Sequence, residues 1–290
     1  MNCGFMTELM ERTGFPEEAK EAILKLAGEL DRKLDELVAV FASAYDYEET
    51  DLRIEALARE RGVSPYGIWM AVLISAAEHA RPHYRDDRVF YDTFSDLRYK
   101  AFECYERYGV WGTFVAFWYP RFYRGGIVKL GRLEYEIGTY KGAEPISMLG
   151  MTLNPGDPLL HLHIPSSPEP FYREVREDSY QLAREYFGRP LVCVCNSWML
   201  WPGYEPLLPE DSNIADFRRE FHLLSQKQTE EFADGWRIFG AAWDGPMENL
   251  PEKSRLQRAF KTHLLGDGRV GTGLGVLVFD EDRVLTRQKN

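Results

Sequence analysis

Cysteine is scarce in this chain. Cys3, Cys104, Cys193 and Cys195 are the four among 290 residues, too few for a disulfide framework at this size. Long apolar runs are lacking too. The stretch Ile68 to Ala77 is well short of the roughly 20 residues that cross a bilayer. Met1 to Phe5 has no basic segment leading into an apolar one, so no secretory signal is expected and a reducing cytoplasm is the expected compartment. Positive charge is in deficit: 35 Lys and Arg against 46 Asp and Glu leave a formal net charge of -11. That excess of acid is spread over both halves and argues against nucleic acid or an anionic membrane as the partner. Two catalytic or nucleotide-binding signatures are missing as well: Gly-x-Ser-x-Gly and the phosphate-binding P-loop.

What is present supports a sizeable core. Hydrophobic residues make up 44% of the chain and aromatics 14%, enough for thick packing and for pockets. The first part has helical periodicity. Phe15-Pro16-Glu17-Glu18 reads as a helix start, and Ile23, Leu24, Leu26, Leu30, Leu34, Leu37 and Val38 follow at helical spacing. Asp46 to Arg61, closed by Gly62, is expected to be a second helix. Ser64-Pro65 starts a third that stops before Pro82, and Phe90 to Tyr108 is expected as a fourth. Near Tyr119-Pro120 glycines become frequent and the apolar period turns to alternation. The expected division is a helical bundle over residues 1–120 and a sheet-containing domain over residues 121–290, an α+β chain.

In the second part Ile127 to Ile137 reads as one long strand, and Asn154-Pro155-Gly156-Asp157 as a turn. A strand–helix–strand unit follows. Pro158 begins a strand, Ser166-Ser167-Pro168-Glu169 is expected to open a helix running to Phe187, and Leu191 to Leu200 is the next strand. Ser212 is an expected N-cap. Trp236 to Phe239 reads as a short strand, Glu252 to Leu265 as a helix, and Gly271 to Phe279 as a final strand.

The strand–helix–strand unit concentrates the polar candidates, because open α/β sheets bind ligands at the carboxyl ends of parallel strands. His161 and His163 share one strand face. A neutral imidazole there suits a general base. Together with Cys193 and Cys195 the pair has the donor types of a tetrahedral zinc site, but strand cysteines usually pack as small core residues, and no metal is expected. Glu134 and Glu136 also share a face, either as a solvated surface or as a general base beside a like charge. The turn from Ile164 through Pro165, Ser166 and Ser167 offers free amides for a phosphate at a helix start; alternatively the serines simply cap that helix. Ser197 and Trp198 end the second parallel strand, where Trp198 can wall a pocket and Ser197 or Asn213 can orient a carbonyl. Glycines at 271, 273 and 275 leave one strand face bare for close approach.

Taken together, Leu130-Gly-Arg-Leu-Glu134, Gly156-Asp-Pro158, His163-Ile-Pro165, Ser197-Trp198-Met-Leu200, Ser212-Asn213-Ile214 and Leu264-Leu-Gly-Asp-Gly-Arg-Val-Gly-Thr-Gly-Leu-Gly275 resemble a bacterial acyltransferase-domain-containing family. Its members pair an N-acyltransferase N-terminal domain with a C-terminal domain like the GCN5-related N-acetyltransferases (GNAT). The resemblance covers nearly the whole chain. It implies a GNAT-like mixed β-sheet with flanking helices, acetyl-CoA or another acyl-CoA as co-substrate, and transfer of the acyl group to the amine of a small-molecule acceptor. On that reading Glu134, His163 and Ser197 are the catalytic candidates, Ile164, Pro165, Ser166 and Ser167 hold the cofactor, and Glu136, His161, Trp198 and Asn213 contact substrate. One departure stands out. The superfamily usually cradles the coenzyme A pyrophosphate with an Arg/Gln-x-x-Gly-x-Gly/Ala turn, whereas Ile164 to Glu169 has no glycine. A non-catalytic GNAT-like protein that binds a small ligand or a protein is therefore the alternative.

Overall fold

The computed structural model describes residues 3–188 and 190–288. They form two compact units: residues 3–129 with 165–167, and residues 130–164 with 168–188 and 190–288. The first unit is helical: α1 (Cys3–Arg12), α2 (Glu17–Leu30), α3 (Arg32–Ala44), α4 (Tyr47–Arg61), α5 (Pro65–Ala80), α6 (Asp87–Phe94), α7 (Asp96–Tyr108) and α8 (Pro120–Tyr123). Strand β1 (Ile127–Leu130) follows at the boundary between the units. Helix α5 is apolar on every side, the pattern of an enclosed helix, and packs against α1, α2, α3, α4, α7 and α8. The helix starts expected at Asp46 and Ser64 are capped by those side chains. The Asp46 side chain accepts from Glu49 N, the Ser64 side chain accepts from Tyr66 N, and Gly62 closes α4 in the left-handed region.

Two helical runs are interrupted. The apolar period from Ile23 to Val38 crosses Asp31, whose φ of 46° separates α2 from α3. Phe90 to Tyr108 is not one helix: α6 begins earlier, where Asp86 caps Val89 N, and ends before Ser95. The Ser95 hydroxyl donates to Asp92 O at 2.6 Å, the local side-chain competition that breaks helical runs. Periodicity carries through both breaks because each new helix still buries an apolar face.

The second unit contains β2 (Leu133–Thr139), β3 (Ile146–Met148), β4 (Met151–Leu153), β5 (Pro158–His163), α9 (Arg173–Phe187), β6 (Leu191–Ser197), α10 (Asn213–Arg219), β7 (His222–Thr229), α11 (Trp236–Phe239), α12 (Arg255–Leu265), β8 (Val270–Asp280) and β9 (Arg283–Val284). Its sheet runs β2–β5–β6–β8–β7, with β9 against β8 and a separate β3–β4 hairpin. The pair β5–β6 is parallel, and β2–β5, β6–β8, β7–β8 and β8–β9 are antiparallel. The order is that of a mixed, GNAT-like sheet with flanking helices. Helix α9 packs on β2, β6 and β8. An apolar cluster of Leu159, Val194 and Val276 is joined by Tyr140 and by Ile146, Met148 and Leu153 of the hairpin.

Several strand and helix limits differ from expectation. Residues 127–137 are two strands, not one. Gly131 turns the chain at φ 66°, and a Cβ there would stand 2.6 Å from Ser179 Oγ, which also accepts from Arg132 N at 2.7 Å. Trp236–Phe239 is a helical turn, not a strand. Ile238 and Phe239 bury themselves in an aromatic cluster with Phe232 and Phe260 instead of pairing at a sheet edge. The edge strand β7 is polar and mostly exposed, so its sequence shows little alternation. Gly271, Gly273 and Gly275 do permit close approach. A Cβ at Gly271 would stand 2.9 Å from the Trp201 ring, and one at Gly273 would run into the Leu200 carbonyl.

Candidate active site

Four polar residues meet on one face of the second unit's sheet. The antiparallel register sets Glu134 opposite His163 and Glu136 opposite His161, and directly paired residues on adjacent strands point to the same side. His163 Nε2 lies 2.9 Å from Glu136 Oε2, both side chains about a quarter exposed. Glu134 is buried, with 2% of its surface exposed. The His161 ring lies across the backbone of Gly138, where a Cβ would come within 2.5 Å of Cδ2. A side chain at 138 would have to displace that ring, so glycine suits this position. Nothing in the local pattern Glu136-Ile-Gly138 marks that preference, since the clash comes from the neighbouring strand.

The parallel pairing is short. Its register covers Leu160↔Cys193 and His161↔Val194. Beyond it, Leu162 and His163 on β5 and Cys195 to Ser197 on β6 lie outside the β5–β6 register, while β5 stays paired to β2 and β6 to β8. The pairing between the two parallel strands thus ends before their carboxyl ends. This is the position at which open sheets take ligands.

The same register separates the histidines from the cysteines. Cys193 aligns with Leu160 and Val194 with His161, so the two thiols lie on the opposite face from the two imidazoles and cannot join them around one ion. Among the described residues no group of three or more His, Cys, Asp and Glu is arranged for a metal. Burial pushes the Cys195 thiol up to about 12.

Ile164, Pro165, Ser166 and Ser167 lie in a connection without helical structure, because α9 begins at Arg173, not at the Ser166–Glu169 turn. The expected helix start there is overturned: cap chemistry in sequence is local, but the helix forms where Arg176, Ser179, Tyr180 and Ala183 find a sheet to pack on. The Ser167 amide is engaged with Pro165 O at 2.8 Å. Ser197 alternates onto the cysteine face, and its Oγ accepts from Met199 N at 3.2 Å, capping the turn over residues 198–200. Trp198 is buried edge-on against Tyr204, Phe232 and Phe260. Asn213 is the exposed first residue of α10, with Ser212 its N-cap.

Beneath the opposite face lies an ionic cluster with no sequence signature. Arg176 is fully buried and reaches Glu220 Oε1 and Asp216 Oδ2, each at 2.7 Å. Tyr180 donates to Glu220 Oε2 at 2.6 Å, and Arg287 reaches Glu220 Oε1 at 3.0 Å. Burial pushes the Asp216 carboxyl up, but the Arg173 and Arg176 guanidiniums outweigh it and hold the group well below the usual carboxylate range. The cluster ties α9, α10 and the C-terminal segment together behind the sheet.

Comparison with known proteins places this geometry. A solved structure of an acyltransferase in complex with decanoyl-CoA and teicoplanin is 24% identical. It matches with a TM-score of 0.71 over 94% of this chain and 87% of that one. An acyltransferase in complex with CoA and 10C-teicoplanin is also 24% identical, with a TM-score of 0.72 over 93% of this chain and 86% of that one. These likenesses establish a shared fold. No curated protein sequence matches the chain. An N-acyltransferase N-terminal domain model matches residues 4–125 and a GNAT-like C-terminal domain model residues 127–277. The chain therefore belongs to the family that joins an N-acyltransferase N-terminal domain to a GNAT-like C-terminal domain.

Proposed function

We propose that the protein transfers an acyl group from an acyl-CoA thioester to the amine of a small-molecule acceptor. The observation that carries this reading is the end of the β5–β6 pairing beside the Glu136–His163 pair. A thioester laid at that end has its carbonyl beside strand-end amides, which suit the negative charge that develops on oxygen during attack. With Glu136 Oε2 accepting from His163 Nε2–H, the other ring nitrogen holds the lone pair that takes the proton of the attacking amine. The amine nitrogen bonds to the carbonyl carbon, the carbon–sulfur bond breaks, and coenzyme A leaves as the thiol. Buried Glu134 sits opposite His163 and is the second candidate base. The structural neighbours support this choice of donor, since they hold decanoyl-CoA or CoA, and two of them hold teicoplanin or 10C-teicoplanin.

The test is thermal stability with acetyl-, octanoyl- and decanoyl-CoA, followed by coenzyme A release with a panel of amines. A thioester at 100 times its dissociation constant adds about 2.7 kcal/mol of stability. No stabilisation by any thioester overturns the reading. Stabilisation without thiol release from any amine favours a binding protein that lacks catalysis.

A further inference from the structure

A second cleft lies away from the histidine face, between α10, the start of β7 and the turns that follow β6. It encloses about 610 Å3, within the range of sites for small organic ligands. Leu200, Leu208, Phe221 and Leu223 line its apolar side, and Arg218 and Arg219 its polar side together with Glu205, Glu210 and Gln288. The two arginines differ in their partners. Arg219 is occupied: its guanidinium donates to Glu210 O at 3.2 and 3.3 Å and reaches Asp216 Oδ1 at 3.4 Å. Arg218 is 15% exposed, and among the described residues its one ion pair is to Glu205 Oε2, 3.5 Å away on a side chain that is 78% exposed.

A guanidinium this enclosed is costly unless a close anion compensates it. Arg176 shows what compensation looks like in the same unit, with two carboxylates at 2.7 Å. Arg218 has instead a long contact to a carboxylate on the solvent side, which can swing away without disturbing packing. Burial accordingly lowers the Arg218 pKa, with Glu205 opposing the shift. A planar guanidinium beside an apolar wall matches a ligand with a carboxylate or phosphate at one end and hydrocarbon at the other.

We propose that this cleft binds a small amphiphilic anion, with its carboxylate or phosphate on Arg218 and its apolar part on Leu200, Leu208, Phe221 and Leu223. Glu205 then acts as a gate that the incoming anion displaces. The proposal is independent of acyl transfer, because none of these residues lies on the histidine face.

The probes are octanoate, octyl phosphate and octanol, titrated calorimetrically into the full chain and into Arg218→Gln and Glu205→Gln variants. At least one anion should bind ten-fold or more tightly than octanol, and which one does separates a carboxylate from a phosphate ligand. Arg218→Gln should weaken the anion at least ten-fold without weakening octanol. Glu205→Gln, an exposed change that leaves the fold intact, should tighten the anion several-fold by removing its competitor. Equal binding of anion and alcohol, no binding of either anion, or unchanged affinity in Glu205→Gln overturns the proposal. So does an anion that survives Arg218→Gln but is displaced by decanoyl-CoA, which places it at the thioester site.

Discussion

Replacing Arg176 by methionine tests whether the buried ionic cluster holds the second unit together. The side chain is fully buried and reaches Glu220 and Asp216 at 2.7 Å and Phe171 O at 2.6 Å. Methionine keeps most of the volume but strands the acids. Removing one partner of a buried ion pair costs about 3–5 kcal/mol. Asp216 keeps Arg173, and Glu220 keeps Arg287 at 3.0 Å and the Tyr180 hydroxyl, so the lower end is expected. At roughly 2–4 °C per kcal/mol for a unit of this size, the melting temperature should fall by about 6–12 °C. In the wild type the depressed Asp216 pKa adds stability that is present above the unfolded value of about 3.9 and lost as pH falls through the folded value. In the variant Asp216 has lost its buried cation Arg176, so that contribution shrinks. The deficit should therefore narrow from pH 5 to pH 3. Adding Glu220→Gln to Arg176→Met should recover part of the loss, because the stranded charge is then gone. Calorimetric melting of the three proteins at both pH values decides it. An unchanged melting temperature, or a deficit that widens on acidification, refutes the reasoning.

The remaining expectations concern the site and its support. His163→Ala should lower kcat by about 10²–10⁴ if the imidazole is the general base, and Glu136→Gln should lower it less, since the ring stays in place; coenzyme A release by each variant measures this. Gly273→Val should destabilise by about 1–3 kcal/mol, because the added carbons meet backbone at the Leu200 carbonyl, which has little room to yield; urea unfolding reads the change. In the native protein iodoacetamide at pH 8 should label Cys3 alone, because Cys104, Cys193 and Cys195 are buried and burial pushes the Cys104 and Cys195 thiols up to about 11 and 12; in denaturant all four should react, and intact mass counts them.

The α+β class and the helical-then-mixed order could be read from the chain, since they follow from apolar period and turn residues. The cap formed as expected at Ser212, and Asp46 and Ser64 cap the helices expected to start there, because a cap needs only its own few residues. The pairing of Glu134 and Glu136 on one face, and of His161 and His163 on another stretch of strand, follows from the two-residue period alone. That these pairs face each other depends on register between β2 and β5, a long-range property that no local pattern carries. The same holds for the cysteines, which register turns away from the histidines.

Local chemistry misled where tertiary packing had the larger energy. Ser166-Ser167-Pro168-Glu169 has good cap residues, yet α9 starts at Arg173, where its apolar side meets the sheet. The Arg176–Glu220 cluster joins residues 44 apart in sequence and leaves no motif. The sequence by itself determined the α+β class, the order of most elements, their period, and the residue types available for acyl transfer. Only the tertiary structure decided which of them share a site. Strand register and the end of the β5–β6 pairing are set by side chains far apart in the chain, and burial, not proximity in sequence, selects among the arrangements that local rules allow.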